Sequence, residues 1–340
     1  MLRVGIAGYG VVGKRRREFI DSHPALHTEA VCDQKFPDAG RFGDGTRYFR
    51  HYRDLLETEL DILFVCLPNY LAAEVTISGL ERGLHVFCEK PPGRTVADID
   101  RVIEAESANP KLKLKYGFNH RYHDNVREAL RLIKTGELGH VINLRGVYGK
   151  SAIVSFESDW RTERRWAGGG ILLDQGIHMV DLMRLFADEE FVDVKSFVSN
   201  RFWNHDVEDN AYALMRTGSG IVAMLHSTAT QWRHRFQLEV ALSDGALILS
   251  GILSGSKSYG QETLTEIRRS DSDDGVPAEL TTSYIEDNSW RDEIAEFVEA
   301  IENDHTVENG TSAHARETMR TVYSIYCADP DWRHVWQLSI

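Results

Sequence analysis

The chain has 340 residues, 42% of them apolar and 27% charged, with 39 Lys and Arg against 52 Asp and Glu for a formal charge of −13. At about 150 residues per domain, that length points to two domains whose composition can build buried cores, which excludes a disordered or fibrous chain. Nucleic acid and anionic membrane are poor partners for so acidic a protein, because both need a positive field. Cys32, Cys66, Cys88 and Cys327 stand far apart with no CxxC spacing. Neither a zinc site nor a disulfide framework is expected, no metal is assigned, and a reducing compartment fits. No apolar run approaches the ~18 residues of a membrane span. The opening MLRVGIAGYG reads as strand and turn rather than as a secretion signal, so the cytoplasm is the expected location.

Apolar runs at 2–7, 30–33, 62–67, 85–89 and 112–117 read as strands buried on both faces, with helical patterns at 12–22, 72–82 and 96–108 between several of them. Strand–helix alternation forces parallel pairing, because each helix carries the chain back to the starting edge of the sheet. Residues 1–119 are therefore expected to form a doubly wound parallel sheet of the Rossmann type. From about 140 the rhythm changes. Residues 236–242 alternate with period two, as a strand with one wet face does. Gly218-Ser219-Gly220 separates strands at 209–216 and 221–227, and Asp244-Gly245 makes the next turn, since glycine tolerates the positive φ of tight hairpins. Residues 120–340 are expected to form an open, mainly antiparallel sheet with helices on one face, at 125–135, 172–186, 292–303 and 313–328. The polar stretch 268–278 reads as a mobile loop, and Trp336 and Ile340 as cover for an edge or a subunit interface.

Gly8-Tyr9-Gly10-Val11-Val12-Gly13 is a GxGxxG placed directly after the first strand and opening the first helix. Gly8 makes the turn, Gly10 admits a pyrophosphate to the backbone, and Gly13 lets helix and strand close up. Tyr9, Val11 and Val12 share that turn, and the free N–H groups of the helix face the phosphates. Asp33 falls twenty residues past Gly13, where a carboxylate accepts from an adenosine ribose and repels a 2′-phosphate. NAD is thus preferred over NADP. Lys14-Arg15-Arg16-Arg17 reads as a solvated face complementing an acidic protein, with phosphate binding as the alternative.

The run Glu89-Lys90-Pro91-Pro92-Gly93, with the glycine turn, resembles the glucose–fructose oxidoreductase and inositol dehydrogenase family, Gfo/Idh/MocA. Further matches follow in order: Leu67-Pro68-Asn69, Gly117-Phe118-Asn119-His120-Arg121-Tyr122, Gly168-Gly169-Gly170 running on to Asp174 and His178, and Val207-Glu208-Asp209-Asn210. The resemblance spans residues 2 to about 250. It implies a nucleotide-binding domain followed by an open sheet whose exposed face serves a homo-oligomer, a dimer or tetramer. It also implies that Leu67, Pro68, Asn69, Glu89, Lys90 and Asn119 join the cofactor contacts. In one departure, Leu71-Ala72 stands where many relatives carry a histidine.

Asp174 and His178, four apart on a predicted helix, emerge on one face, and a carboxylate beside an imidazole fixes its tautomer. Lys90, at the C-terminal end of a strand, points to the crevice where parallel sheets bind ligands. Oxidising a carbinol needs a base for the hydroxyl proton and a cation for the developing alkoxide. His178 takes the first role, Lys90 the second, and Asp174 orients substrate and tunes His178. Trp160, Arg161, Arg121, Tyr122 and Lys150 are further substrate-binding candidates: rings suit sugar faces, and arginine forks suit phosphate. Loop packing by a Trp–Arg contact is an equal reading. So many cations in an acidic protein point to a nucleotide sugar or other anionic sugar. The alternatives are a free sugar or inositol dehydrogenase, an NAD-dependent glycoside hydrolase of the same fold, and a non-catalytic NAD-binding protein, which would be expected to have lost Lys90 or His178.

Overall fold

The structure, a computed structural model, describes residues 1–152, 159–254, 259–269 and 277–338. In chain order it contains β1 (Leu2–Ala7), α1 (Val11–Ser22), β2 (Leu26–Cys32), β3 (Gly40–Arg41), β4 (Arg47–Phe49), α2 (Tyr52–Leu56), β5 (Ile62–Val65), α3 (Asn69–Glu81), β6 (His85–Glu89), α4 (Val96–Ala108) and β7 (Leu114–Gly117). There follow α5 (Asp124–Thr135), β8 (Val141–Ser151), α6 (Arg164–Ala167), α7 (Ile177–Ala187), β9 (Phe191–Ser199), β10 (Asn210–Thr217), β11 (Val222–Gln231), β12 (Arg235–Leu242), β13 (Gly245–Ser250), β14 (Glu262–Arg268) and β15 (Ala278–Tyr284). The chain closes with α8 (Ser289–Glu302), α9 (Ser312–Ala328) and α10 (Pro330–Trp336). Of the expected mobile loop, 270–276 lie outside the described residues, as does Ile340.

Two compact units result: Met1–Asn119 with 165–168 and 290–316, and His120–Arg164 with 169–289 and 317–340. The chain first passes between them at Asn119–His120, but the second unit is not the continuous 120–340 expected. The reason is apolar packing within the first unit. Its seven strands run β3-β4-β2-β1-β5-β6-β7, parallel except for the β3–β4 pair. One face of that sheet buries Val4, Ile6, Ile62, Phe64 and Phe87 against Ile294, Phe297 and Val298 of α8. Phe64 and Phe87 stack at 4.8 Å, and Phe297 meets Phe87 edge-on at 5.7 Å. Each such ring contributes roughly 1.5–3 kcal/mol by leaving water.

In the second unit eight strands run β15-β14-β13-β12-β8-β11-β10-β9. All pairs are antiparallel except β8 with β11. Helix α5 packs on β13 and β14, and α7 on β8 and β11. The burial of β10 alternates strictly, and its outward residues Tyr212 and Leu214 lie beside exposed Phe197 of β9 and Met224 of β11. That face is apolar and open to solvent. Among the described residues, no helix is long and apolar enough to cross a membrane.

Candidate active site

In the first unit, β1 ends and α1 begins around three glycines with different neighbours. Gly8 has φ +93° and donates its N–H to the Cys32 carbonyl at 2.9 Å. A Cβ there would lie 2.3 Å from the Cys66 carbonyl oxygen, and one on Gly13 would lie 1.9 Å from that of Gly8. A Cβ on Gly10 would meet nothing within 4 Å. Two glycines are therefore demanded by the chain's own backbone, while the third borders open space. The α1 N-terminus begins there with no side-chain cap, leaving N–H groups for an anion.

Asp33 stands just beyond β2. Its Oδ2 accepts from the Tyr9 N–H at 3.1 Å and its Oδ1 from the Lys35 N–H at 3.0 Å. The Tyr9 ring rests on Phe36 and Phe42, and its hydroxyl accepts from Arg17 Nη1 at 3.0 Å. Val11 is exposed and Val12 half-buried. Leu67 and Pro68, half-buried, follow β5, and Asn69 opens α3 while donating Nδ2 to the Ala167 carbonyl at 2.7 Å. The donor-rich helix end, the open backbone at Gly10 and the anchored carboxylate fit a dinucleotide. The helical start at Asn69 also places Leu71-Ala72, the familial departure, within α3 rather than in a preceding loop.

The basic run is not one solvated face. Lys14 is exposed and Arg15 lies over the Trp290 ring at 4.7 Å. Arg17 binds Asp21, Asp44 and Tyr9. Arg16 is fully buried, with Nε on Glu89 Oε1 at 2.6 Å and Nη2 on Glu293 Oε2 at 2.7 Å. The helix turns one of four neighbouring cations into the core, where two carboxylates meet it. Glu89, expected among the cofactor contacts, is the partner that holds Arg16. Lys90 follows it at the end of β6, half-buried, with a cis bond to Pro91, and Asn119 is buried at the close of this unit.

In the second unit the helix expected over 172–186 begins as a π-turn, Leu172–Gly176, and becomes α7 at Ile177. Asp174 therefore belongs to a wider turn than the spacing argument assumed; such turns recur at functional sites. The start of the segment is pinned by Glu208, which accepts from the Gly170 N–H at 2.7 Å, the Leu172 N–H at 2.9 Å and the Tyr326 hydroxyl at 2.7 Å. His178 is buried and stacks flat on His120, centroids 3.7 Å apart and planes 11° from parallel. His120 Nε2 shares a hydrogen bond with the Tyr148 hydroxyl at 3.1 Å. Burial pushes that hydroxyl well above the ordinary tyrosine range. Gln175 donates Nε2 to the Tyr259 hydroxyl at 2.9 Å.

The substrate candidates divide. Arg121 is buried and grips Asp181 through Nε and Nη2 at 2.7 and 2.6 Å. Tyr122 is buried too, with Arg127 above its ring at 5.1 Å. The turn at 119–122 packs both side chains into the core. Arg161 bonds Asp159 at 3.0 Å and lies over Trp160 at 4.4 Å, which is the loop-packing geometry. Lys150, near the end of β8, is held below the ordinary lysine value by burial, with the Asp174 carboxylate pulling it back up. His120, Tyr148, Glu208 and the Arg16–Glu293 pair were missed as site or core groups. His120, Glu208 and Arg16 stood in runs already singled out, and no spacing rule brings residues 120, 148 and 178 together.

Residues 2–118 match the family described as "Oxidoreductase family, NAD-binding Rossmann fold", and residues 126–248 that described as "GFO/IDH/MocA C-terminal domain". The inositol 2-dehydrogenase of Salmonella typhimurium (strain LT2) is 26% identical over 227 residues, 65% of each chain, so the match spans just under two thirds of that relative. The D-glucoside 3-dehydrogenase of Escherichia coli (strain K12) is 30% identical over 192 residues, 53% of this chain and 52% of the relative. A solved levoglucosan dehydrogenase, in complex with NADH and levoglucosan, shares the fold with a TM-score of 0.83 at 19% identity, covering 97% of both chains.

Proposed function

Because the chain belongs to the Gfo/Idh/MocA family of oxidoreductases, we propose that it moves a hydride between NAD and a secondary alcohol or ketone of a sugar or cyclitol. The observation that carries this reading is the turn at Gly8–Gly13, closed by its own backbone on two sides and open at Gly10 beside Asp33. When bound, the nicotinamide accepts or gives the hydride. His178 takes the hydroxyl proton on a ring nitrogen, its imidazole shielded from water by His120. Lys90 steadies the alkoxide oxygen with its ammonium. Asp174 orients the hydroxyls of the substrate and draws positive charge toward His178. Asp33 selects NAD over NADP through the ribose.

The structure weakens the case for an anionic substrate, since Arg121 and Arg161 are committed to Asp181 and Asp159. Lys150, half-buried beside Asp174, supports the finer alternative of a nucleotide sugar. The exposed apolar face of β9, β10 and β11 supports a homo-oligomer, and Leu214→Lys is expected to lower the mass seen in sedimentation.

The decisive experiment replaces Lys90 with Ala and His178 with Asn. Turnover should fall by about 10²–10⁴ for the histidine variant while NAD still binds. Full activity in either variant removes that residue from the scheme. A panel of cyclitols, free sugars and nucleotide sugars then fixes the class. Accumulation of NADH supports the dehydrogenase, and sugar release without net reduction supports the glycoside hydrolase alternative.

A further inference from the structure

His178 does not end the buried aromatic system of the second unit. Its stacking partner His120 meets His123 edge-on, centroids 5.4 Å apart at 79°. His123 Nδ1 donates to Glu262 Oε2 at 2.8 Å, and both groups are almost wholly buried. Glu262 also accepts from the N–H groups of Asn125 and Leu253, each at 3.2 Å. Burial alone would raise this carboxyl, yet the His123 hydrogen bond and charge bring it below the usual carboxylate range. On its other side His120 is tied to Tyr148, and Phe236 packs edge-on against both rings. Helix α7 and strands β8 and β12 thus converge on the His120 imidazole, and β14 reaches it through His123.

We propose that His120 is a positioning residue for His178, fixed by Tyr148 on one side and by the His123–Glu262 pair on the other. The proposal rests on the reading of His178 as the acid/base group. Simple packing would be served by any ring, but this one is hydrogen-bonded and stands in line with a buried carboxylate. Two imidazolium rings 3.7 Å apart would repel strongly, so the stack disfavours protonation of both rings at once and couples the proton on His178 to its neighbour. The other ionisable groups around the stack are Asp174 and Lys150, the Arg121–Asp181 pair, and the hydroxyls of Tyr148 and Tyr259. Asp174 attracts a proton to this region and Lys150 opposes it, while the two hydroxyls stay neutral.

The test uses the full chain and two variants, His120→Ala and His120→Phe, with Tyr148→Phe as a third. Ring-nitrogen NMR titration without cofactor should show the His178 midpoint rising by about one unit or more in His120→Ala, as water and the loss of a like-charge neighbour both favour the imidazolium. His120→Phe, which keeps the shield, should show a smaller rise. In turnover, His120→Ala should lose about 10²-fold in kcat with sugar KM and NAD affinity nearly unchanged, and His120→Phe should recover part of that loss. Should His120→Ala not fold, the Phe and Tyr148→Phe variants carry the same comparison, each shifting the His178 midpoint and kcat in the same directions. An unmoved His178 midpoint overturns the proposal, as does a kinetic loss confined to cofactor affinity. Full turnover in His178→Asn overturns the functional reading and this inference with it. Loss in His178→Asn beside full turnover in His120→Ala overturns this inference alone.

Discussion

The glycine turn of the first unit and the histidine stack of the second are assembled by opposite means. At the turn, Gly8 is closed by the Cys66 carbonyl and Gly13 by that of Gly8, while Gly10 is left open. In the stack, His120, Tyr148 and His178 come from three elements, and Glu262 from a fourth. A site defined by backbone sterics tolerates changes in the surrounding side chains but no added Cβ at the closed positions. One defined by side-chain contacts should respond in the opposite way. The glycine turn is therefore set by backbone packing, whereas the histidine stack depends on side chains from several elements of the second unit.

The sharpest way to break that contrast lies beneath the turn. Replacing Arg16 with Met should cost about 3–5 kcal/mol, because Glu89 and Glu293 would be left buried without their cation. Chemical denaturation measures this, and an unchanged midpoint would mean that the carboxylates find other partners. Next comes Gly13→Ala, whose Cβ would press on the Gly8 carbonyl. It should lose roughly 1–3 kcal/mol of stability together with most NAD affinity, read by calorimetry on the same sample.

A smaller effect follows from pH. Burial raises the Glu293 carboxyl from 4.5 to about 7, against the pull of Arg16. Between those values the folded chain holds a proton that the unfolded chain has released, so this group favours the fold most at the acid end and loses that contribution as pH rises. Stability of the parent should fall across that window relative to Glu293→Gln, and parallel profiles would contradict the assignment. The smallest change in stability belongs to Gly10→Ala. With nothing within 4 Å of the new Cβ, melting should stay within about 0.5 kcal/mol of the parent. NAD affinity should nonetheless drop, which separates the cradle from the scaffold.

How legible each region was follows from the same contrast. Strands 2–7 and 85–89 match their expected bounds because continuous apolar runs next to glycine or proline leave few alternatives. The three glycines and Asp33 form a pattern of short reach, and their geometry suits the expected ligand. Strands β3 and β4, of two and three residues, are too short to show a period. The burial of Arg16 was hidden because its partners lie 73 and 277 positions away. The helix expected at 292–303 is present as α8, but it was expected on the second sheet because nothing in its sequence names the sheet it covers. The π-turn at Leu172–Gly176 was misjudged for a different reason: helical spacing does not distinguish a wide turn from a regular one. Local sterics can be read along a chain, but nonlocal partners cannot.

Because α8 supplies Ile294, Phe297 and Val298 to the first sheet, the first 119 residues lack one wall of their own interior. During synthesis at ~5–20 residues per second, that stretch emerges from the ribosome well before the helix that completes it. An apolar surface must stay protected through the interval, and a fragment ending at residue 119 would be a poor substitute for the nucleotide-binding unit in any expression trial.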